Sequence, residues 1–444
     1  MTAILVAAFS AASAGAEPLT RAEAVARALK ANPDVLRSIE DMALLQGRSR
    51  EALADALPEL NILGNASRYR DPGLLNSSSF DAFPPELRDS LRPIPANLFE
   101  GVAQLKQTIF SFKLRRAIKA ARLAQDLGRE NVRVTEQSIA LDAIRAYNTL
   151  LLGLERVRVV ENTVRQKEKH LEMARNRRQA GVATELDVLR AQVDLENQRT
   201  QLLRVRGQVE SDRSTLNAVM VRPVDAPVEP VDTLAFAPLD ATLETTVREA
   251  LAARPEMKVV SLNERIRDEL IGVAKAEGRP HLDFLGNWGY SVRRPANFFE
   301  SSFAKWNAGV TLTVPVFDGF RTAGKVAQAR AERGKVAQDR TALENRIRLQ
   351  ARDAVNALDV AKSVLEGAEL NVSQARRALE MTQANYAQGA ATTLDVTDSQ
   401  AALTLAEILR AEALYDHANA RATLRYVTGR DPLEPSVGPP AAAR

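Results

Sequence analysis

Apolar positions along this chain switch between two periods, and the switch happens twice. Around residues 281–292, Leu282, Phe284, Trp288, Tyr290 and Val292 fall on one side of an alternating pattern, against His281, Asp283, Asn287 and Ser291 on the other. The next stretch alternates more strictly: Ala304, Trp306, Ala308, Val310, Leu312 and Val314 against Lys305, Asn307, Gly309, Thr311 and Thr313. These patterns predict strands near 282–292 and 304–316, each with one apolar face, and weaker versions predict strands near 60–69 and 101–110. Ten residues at ~3.3 Å each, tilted by ~40°, reach ~25 Å, the height of the apolar band that membrane barrels cross. A soluble sheet packed on one face would alternate identically.

Around the strands the period is helical. No proline occurs between Phe112 and Gly181, nor between Phe320 and Gly389, and ~68 helical residues would make a rod of ~100 Å. A heptad seam runs through Leu150, Val157, Val164 and Leu171, and a second through Leu358, Leu365, Val372, Leu379 and Tyr386. After the first glycine turn, Val188, Leu195, Leu202, Val209 and Leu216 step by seven again, which predicts an antiparallel hairpin of coiled-coil type. The returning seam of the second hairpin is interrupted by Arg410 and His417, positions expected to tune register or face solvent and given no ligand role.

The two halves of the chain repeat each other, at an offset of about 222 before the strands and about 208 after them. Leu60-Asn61-Ile62-Leu63-Gly64-Asn65 matches Leu282-Asp283-Phe284-Leu285-Gly286-Asn287, and Gly181-Val182-Ala183-Thr184-Glu185-Leu186-Asp187-Val188 matches Gly389-Ala390-Ala391-Thr392-Thr393-Leu394-Asp395-Val396. The drop in offset places a longer insertion within residues 71–99 of the first copy, a Pro-, Ser- and Asn-rich stretch that reads as a loop. The expected organisation is a signal peptide at 1–16, a first repeat at 17–221 (helix, two strands, helical hairpin 112–220), a Pro-rich linker at 222–240, a second repeat at 241–430 (helix, two strands, hairpin 320–428) and a tail at 431–444.

Composition narrows the chemistry. The 444 residues carry 60 basic and 56 acidic side chains, a formal +4 that gives no electrostatic reason to expect nucleic-acid binding. With no cysteine there are no disulfides or thiolate sites, and His170, His281 and His417 alone are poor material for a metal cluster. No phosphate loop, nucleophile elbow or dinucleotide fingerprint is present, so no enzyme activity, cofactor or metal is expected. Residues 3–12 are apolar and Ala14-Gly15-Ala16 offers a small-x-small cleavage site, which suggests export; the basic residues usual ahead of such a run are missing, and an Ala-rich buried helix is the alternative. Nothing after this run approaches ~20 consecutive apolar residues, so a membrane could be entered only by strands.

Four strands per chain leave two open edges, which cannot persist in lipid. Several copies can pool them: two chains supply eight strands, three supply twelve, and a wide conduit favours three or more.

Thr313-Val314-Pro315-Val316-Phe317-Asp318-Gly319-Phe320 resembles the strand-to-helix junction of TolC-like outer membrane efflux proteins. Tyr386-Ala387-Gln388-Gly389 followed by Thr392-Thr393-Leu394-Asp395-Val396 resembles their hairpin tip. The resemblance covers nearly the whole chain and implies a mainly α fold with a membrane β-barrel portion. Long helical hairpins would form a periplasmic α-barrel, and four strands per chain would contribute to a twelve-stranded trimeric barrel in the outer membrane. It also implies a homotrimer surrounded by outer-membrane lipid, a periplasmic adaptor docked at the tips and an inner-membrane pump, hence a passive exit channel for efflux or type I secretion. A periplasmic coiled-coil adaptor or scaffold is the alternative from another class. By resemblance, Asp395 and Asp398 match the aspartates that ring the periplasmic entrance in TolC, although acidic residues after a turn also suit the first turn of a helix. Asp187 and Tyr386 match a pair that ties neighbouring helices shut, while Ala391 stands where TolC has an arginine. Gly181, Val182, Ala183, Gly389, Ala390 and Ala391 would form the adaptor-contacting tips. Trp288, Tyr290 and Trp306 fit the lipid interface, or equally the core of a soluble sheet.

Overall fold

The computed structural model describes residues 17–72, 83, 84, 86, 87 and 94–433. The signal peptide expected at 1–16, most of the loop read within 71–99 and the tail beyond Leu433 lie outside the described residues. In chain order the elements are β1 (Glu17–Leu19), α1 (Arg21–Ala31), α2 (Pro33–Ala54), β2 (Glu59–Tyr69), β3 (Ala96–Ser111), α3 (Phe112–Gln179), α4 (Glu185–Val219), β4 (Val228–Pro230), α5 (Leu243–Ala253), α6 (Pro255–Ala276), β5 (His281–Val292), β6 (Ala304–Thr313), α7 (Arg321–Ala387) and α8 (Thr393–Val427). They fall into two compact units. One holds residues up to Met42, 128–260 and 339 onward, and the other holds 43–127 and 261–338.

Each repeat opens with two helices where the periodicity suggests one, and proline is the cause. Thr20 caps α1 through a reciprocal pair with Glu23, and α1 stops at Asn32 because Pro33 excludes its predecessor from helical backbone. Pro33 then opens α2, where a missing N–H costs nothing. In the second copy Thr242 caps α5 by accepting from the Thr245 amide, without the reciprocal carboxylate, and Arg254 and Pro255 repeat the break before α6.

The first unit is packed by the heptad seams. Leu150, Val164 and Leu171 of α3 and Val188, Leu195, Val209 and Leu216 of α4 are buried, as are Leu358, Leu365, Val372, Leu379 and Tyr386 of α7. Each such side chain contributes roughly 1.5–3 kcal/mol by leaving water. His417 does not face solvent: it is buried, with its ring stacked 4.8 Å from Phe236 of the linker. The linker also supplies β4, which pairs in parallel with β1, a contact no periodicity announces. Tyr147 pins this corner, its hydroxyl 2.8 Å from the Leu19 carbonyl and 2.9 Å from the Asp232 carboxylate, and burial pushes its pKa up.

In the second unit β2, β3, β5 and β6 form one antiparallel sheet in that order. β3 begins at Ala96, ahead of the 101–110 suggested by alternation, because its first residues pair with Ser67, Arg68 and Tyr69 of β2. β6 stops at Thr313, before Pro315, which cannot donate to a ladder.

Candidate functional site: a two-faced sheet and two hairpin tips

Cross-strand partners share a face, so the register sorts every strand residue. Trp288 lies opposite Trp306 and Ala103, Phe284 opposite Val310, and Ala103 opposite Ile62. This apolar face is open: Ile62 is 84% exposed, Trp306 77% and Trp288 56%. Tyr290 shares the face but is half-buried, ringed by Trp288 at 5.6 Å, Phe299 at 5.8 Å and Phe298 at 6.0 Å. The three sequence-predicted aromatics thus gather on one face, two of them bare and one under the β5–β6 loop.

The opposite face is polar. Asn61, Gln104, Asn287 and Asn307 stand in one rung across all four strands. Gln104 Nε2 donates to Asn287 Oδ1 at 3.1 Å, and Asn287 Nδ2 donates to Asn307 Oδ1 at 3.1 Å. Lys305 Nζ and Ser291 Oγ both donate to Glu100 Oε1, at 2.5 and 3.1 Å. Lys305 spans β5 above Gly289, and a Cβ on that glycine would also lie 2.0 Å from the Gly101 carbonyl oxygen. Among the described residues, no strand pairs with the outer edges of β2 and β6.

At the tips, the two turns have one construction. Gly181 and Gly389 take φ of +77° and +80°, a left-handed conformation glycine enters without strain. The Val182 amide then donates back to the Arg177 carbonyl at 2.9 Å, and the Ala390 amide to the Asn385 carbonyl at 2.8 Å. Thr184 and Thr392 cap the returning helices in reciprocal pairs with Asp187 and Asp395. Asp395 Oδ2 accepts the Thr392 amide and hydroxyl, both at 2.7 Å, and these bonds hold its pKa below the usual carboxylate range. Asp187 is lowered likewise, first by the Thr184 hydroxyl and then by its amide. Asp398 is exposed one turn on. Val182 and Ala390 are exposed, and Ala183 and Ala391 half-buried.

Asp187 and Tyr386 share Arg177 as a neighbour: its charge adds to the lowering of the Asp187 pKa, after the Thr184 hydrogen bonds. Arg177 places its guanidinium 4.5 Å from the Tyr386 ring centroid, and the ring of fully buried His170 lies 6.0 Å away on the other hairpin. Burial first, and then nearby Lys167, push the His170 pKa down, so the ring packs as a neutral group. Sequence reasoning missed this Arg177–Tyr386–His170 stack, because it joins residues from two hairpins and neither repeat contains its counterpart.

The profile described as outer membrane efflux protein matches residues 24–220 and 246–430, one span for each repeat. Among individual relatives, the outer membrane protein OprJ of Pseudomonas aeruginosa is 24% identical over 86% of this chain and 78% of its own length. The alkaline protease secretion protein AprF of the same species is 23% identical over 73% and 68%. The crystal structure of the Campylobacter jejuni CmeC outer membrane channel superposes with a TM-score of 0.79, at 16% identity, over 92% of this chain and 85% of that one. A duplicated strand-and-hairpin unit, folded as in such a channel and matched twice by one profile, places the chain in the outer membrane efflux protein family.

Proposed function

We propose that the chain is one subunit of an outer-membrane exit duct for efflux or type I secretion. It resides in the outer membrane with a periplasmic extension and conducts passively, while a partner supplies the energy. The observation that carries this is the two-faced sheet, whose two outer edges are open among the described residues. A bare apolar face with paired tryptophans suits lipid, a rung of amides suits a water-filled lumen, and open edges are tolerable in lipid only if further copies close them. Three copies would give twelve strands, the closure wide enough for cargo.

In this reading the hairpin tips form the periplasmic mouth, where an adaptor joined to an inner-membrane pump docks on Val182, Ala183, Ala390 and Ala391. Asp395 and Asp398 from three chains would ring the constriction and attract cations. Planar-bilayer recording tests the whole reading. Purified protein should give discrete channels blocked from one side by multivalent cations, and replacing both aspartates by asparagine should weaken that block at least about tenfold. A detergent-independent monomer that never conducts would sink the proposal.

A further inference from the structure

Within the unit that carries the sheet, α3 opens at Phe112 directly after β3 closes at Ser111, and α6 ends at Ala276 shortly before β5 opens at His281. Between these helix ends lies a cleft of about 690 Å³, lined among others by Phe112, Arg115, Arg116, Lys119, Lys275 and Arg279. Its charges are only partly compensated. Glu269 takes Arg116 at 2.8 Å and Lys119 at 2.5 Å, and Asp268, the acidic residue of the lining, takes Arg333 at 3.4 Å. Among the described residues Arg115, Lys275 and Arg279 have no carboxylate partner. The Arg279 guanidinium instead sits 5.0 Å from the centroid of the Phe112 ring. Gly272 makes room for the cluster, since a Cβ there would come within 3.1 Å of Arg116 Cδ.

Like charges gathered in a concavity repel unless an anion joins them, and guanidinium forks fit phosphate oxygens in pairs. The place of the cleft says where the phosphate comes from, on the outer-membrane reading above, on which this inference rests. If the sheet spans the apolar layer, the end of β3 marks its periplasmic boundary. Arg115 and Arg116 then stand ~6–8 Å beyond it along α3, within a headgroup layer roughly 5–8 Å deep, and Lys119 stands ~12 Å beyond it. Phe110 and Phe112, edge to face at 4.8 Å, lie at the boundary itself, where aromatic rings collect.

We infer that this cleft binds the phosphate of an anionic phospholipid from the periplasm-facing leaflet, with Arg115, Lys275 and Arg279 around the phosphate and Phe112 against the glycerol and upper acyl chain. Lipid fills the cleft at the strand-to-helix junction, neutralises it and fixes the depth of the sheet in the membrane.

Native mass spectrometry of the detergent-purified full-length protein provides the test, with phosphatidylglycerol, phosphatidylcholine and inorganic phosphate titrated separately. The wild type should hold phosphatidylglycerol at least about tenfold more tightly than phosphatidylcholine, the loss expected for a few charge-assisted phosphate contacts. Arg115→Gln/Lys275→Gln/Arg279→Gln should abolish that preference, and Lys275→Gln alone, which removes no side-chain hydrogen bond among the described residues, should reduce it. Preference surviving in both variants overturns the site. So does a wild type with no preference, and so does inorganic phosphate bound as tightly as the lipid, which would assign the cleft to a soluble anion. The same preparations are recorded in planar bilayers: channels that conduct without lipid preference end this proposal alone, whereas a wild type that never inserts ends the outer-membrane reading beneath it.

Discussion

The sheet and the hairpin tips solve the same problem in opposite ways. Both are places where backbone groups and apolar surface would otherwise be left without partners. At each tip the solution is local: a left-handed glycine returns the chain, and a threonine and an aspartate close the first turn of the next helix within a few residues. In the sheet no such local solution is found: among the described residues nothing pairs with the outer edges of β2 and β6, and Trp288 and Trp306 stay bare. A locally satisfied element can be repeated by duplication with little risk, and the two tips have nearly identical backbones. On the proposed reading the sheet instead depends on other copies and is constrained by what surrounds it, and its two halves have drifted apart, with both tryptophans in the second.

The sharpest way to break this contrast is at Gly289. A Cβ there would meet the Gly101 carbonyl oxygen at 2.0 Å and the Val102 Cα at 2.7 Å, so Gly289→Val must force β3 from β5. The cost is several kcal/mol, enough to remove most assembled protein from the outer-membrane fraction. Gly309→Val is the control: its Cβ would meet nothing within 4 Å, and assembly should persist. Equal losses from both would mean that the close approach is not what limits the sheet.

Smaller effects follow on the bare face. Trp306→Ser should lower unfolding free energy by roughly 1.5–3 kcal/mol in a bilayer, because the ring leaves an apolar surrounding, and by little in a scaffold that keeps that face in water. Urea titration of protein refolded into vesicles measures it.

How legible these regions were in the sequence follows the same division. At the tips the glycine turns at Gly181 and Gly389 were legible, whereas the Thr184–Asp187 and Thr392–Asp395 caps went unread although both partners lie within one helical turn. Alternation exposed the strands and their faces, because it is written in consecutive residues even where the paired strand is distant. Contacts between distant segments were invisible: β1 against β4, His417 beneath Phe236, and Arg177 over Tyr386 each join residues with no shared period. The division of each opening helix was available in Asn32-Pro33 and Arg254-Pro255 and is explained by proline alone.

The tip stack offers the next test, at about 0.5–2 kcal/mol for a guanidinium on a ring. Arg177→Ala and Tyr386→Ala should each loosen the two hairpins and raise the single-channel current, and the double variant should add little to the stronger single. Additive effects would show that Arg177 and Tyr386 act on separate partners. Gly181→Ala and Gly389→Ala should each cost ~1 kcal/mol in thermal unfolding, and equally, since only the positive φ opposes the methyl group at either tip.

The smallest expected effect concerns the aspartates and separates capping from gating. Asp187 and Asp395 have pKa values lowered in the folded chain, so the stability they contribute is fully present above the usual carboxylate range and is lost as pH falls through the folded values. Hydrogen exchange at the Thr184 and Thr392 amides, corrected for its intrinsic pH dependence, should therefore stay flat from neutral pH down to that range and accelerate below it. Asp395→Ala should release Thr392 and leave Thr184 protected. Asp398 is exposed and among the described residues has no hydrogen-bond partner, so Asp398→Asn should leave both amides unchanged. Its carboxylate is therefore free to meet a cation, while that of Asp395 already accepts two hydrogen bonds. If a carboxylate ring gates the mouth, Asp398→Asn alone should remove most of the multivalent-cation block, and a block that depends on Asp395 instead would mean the cap opens when the cation binds.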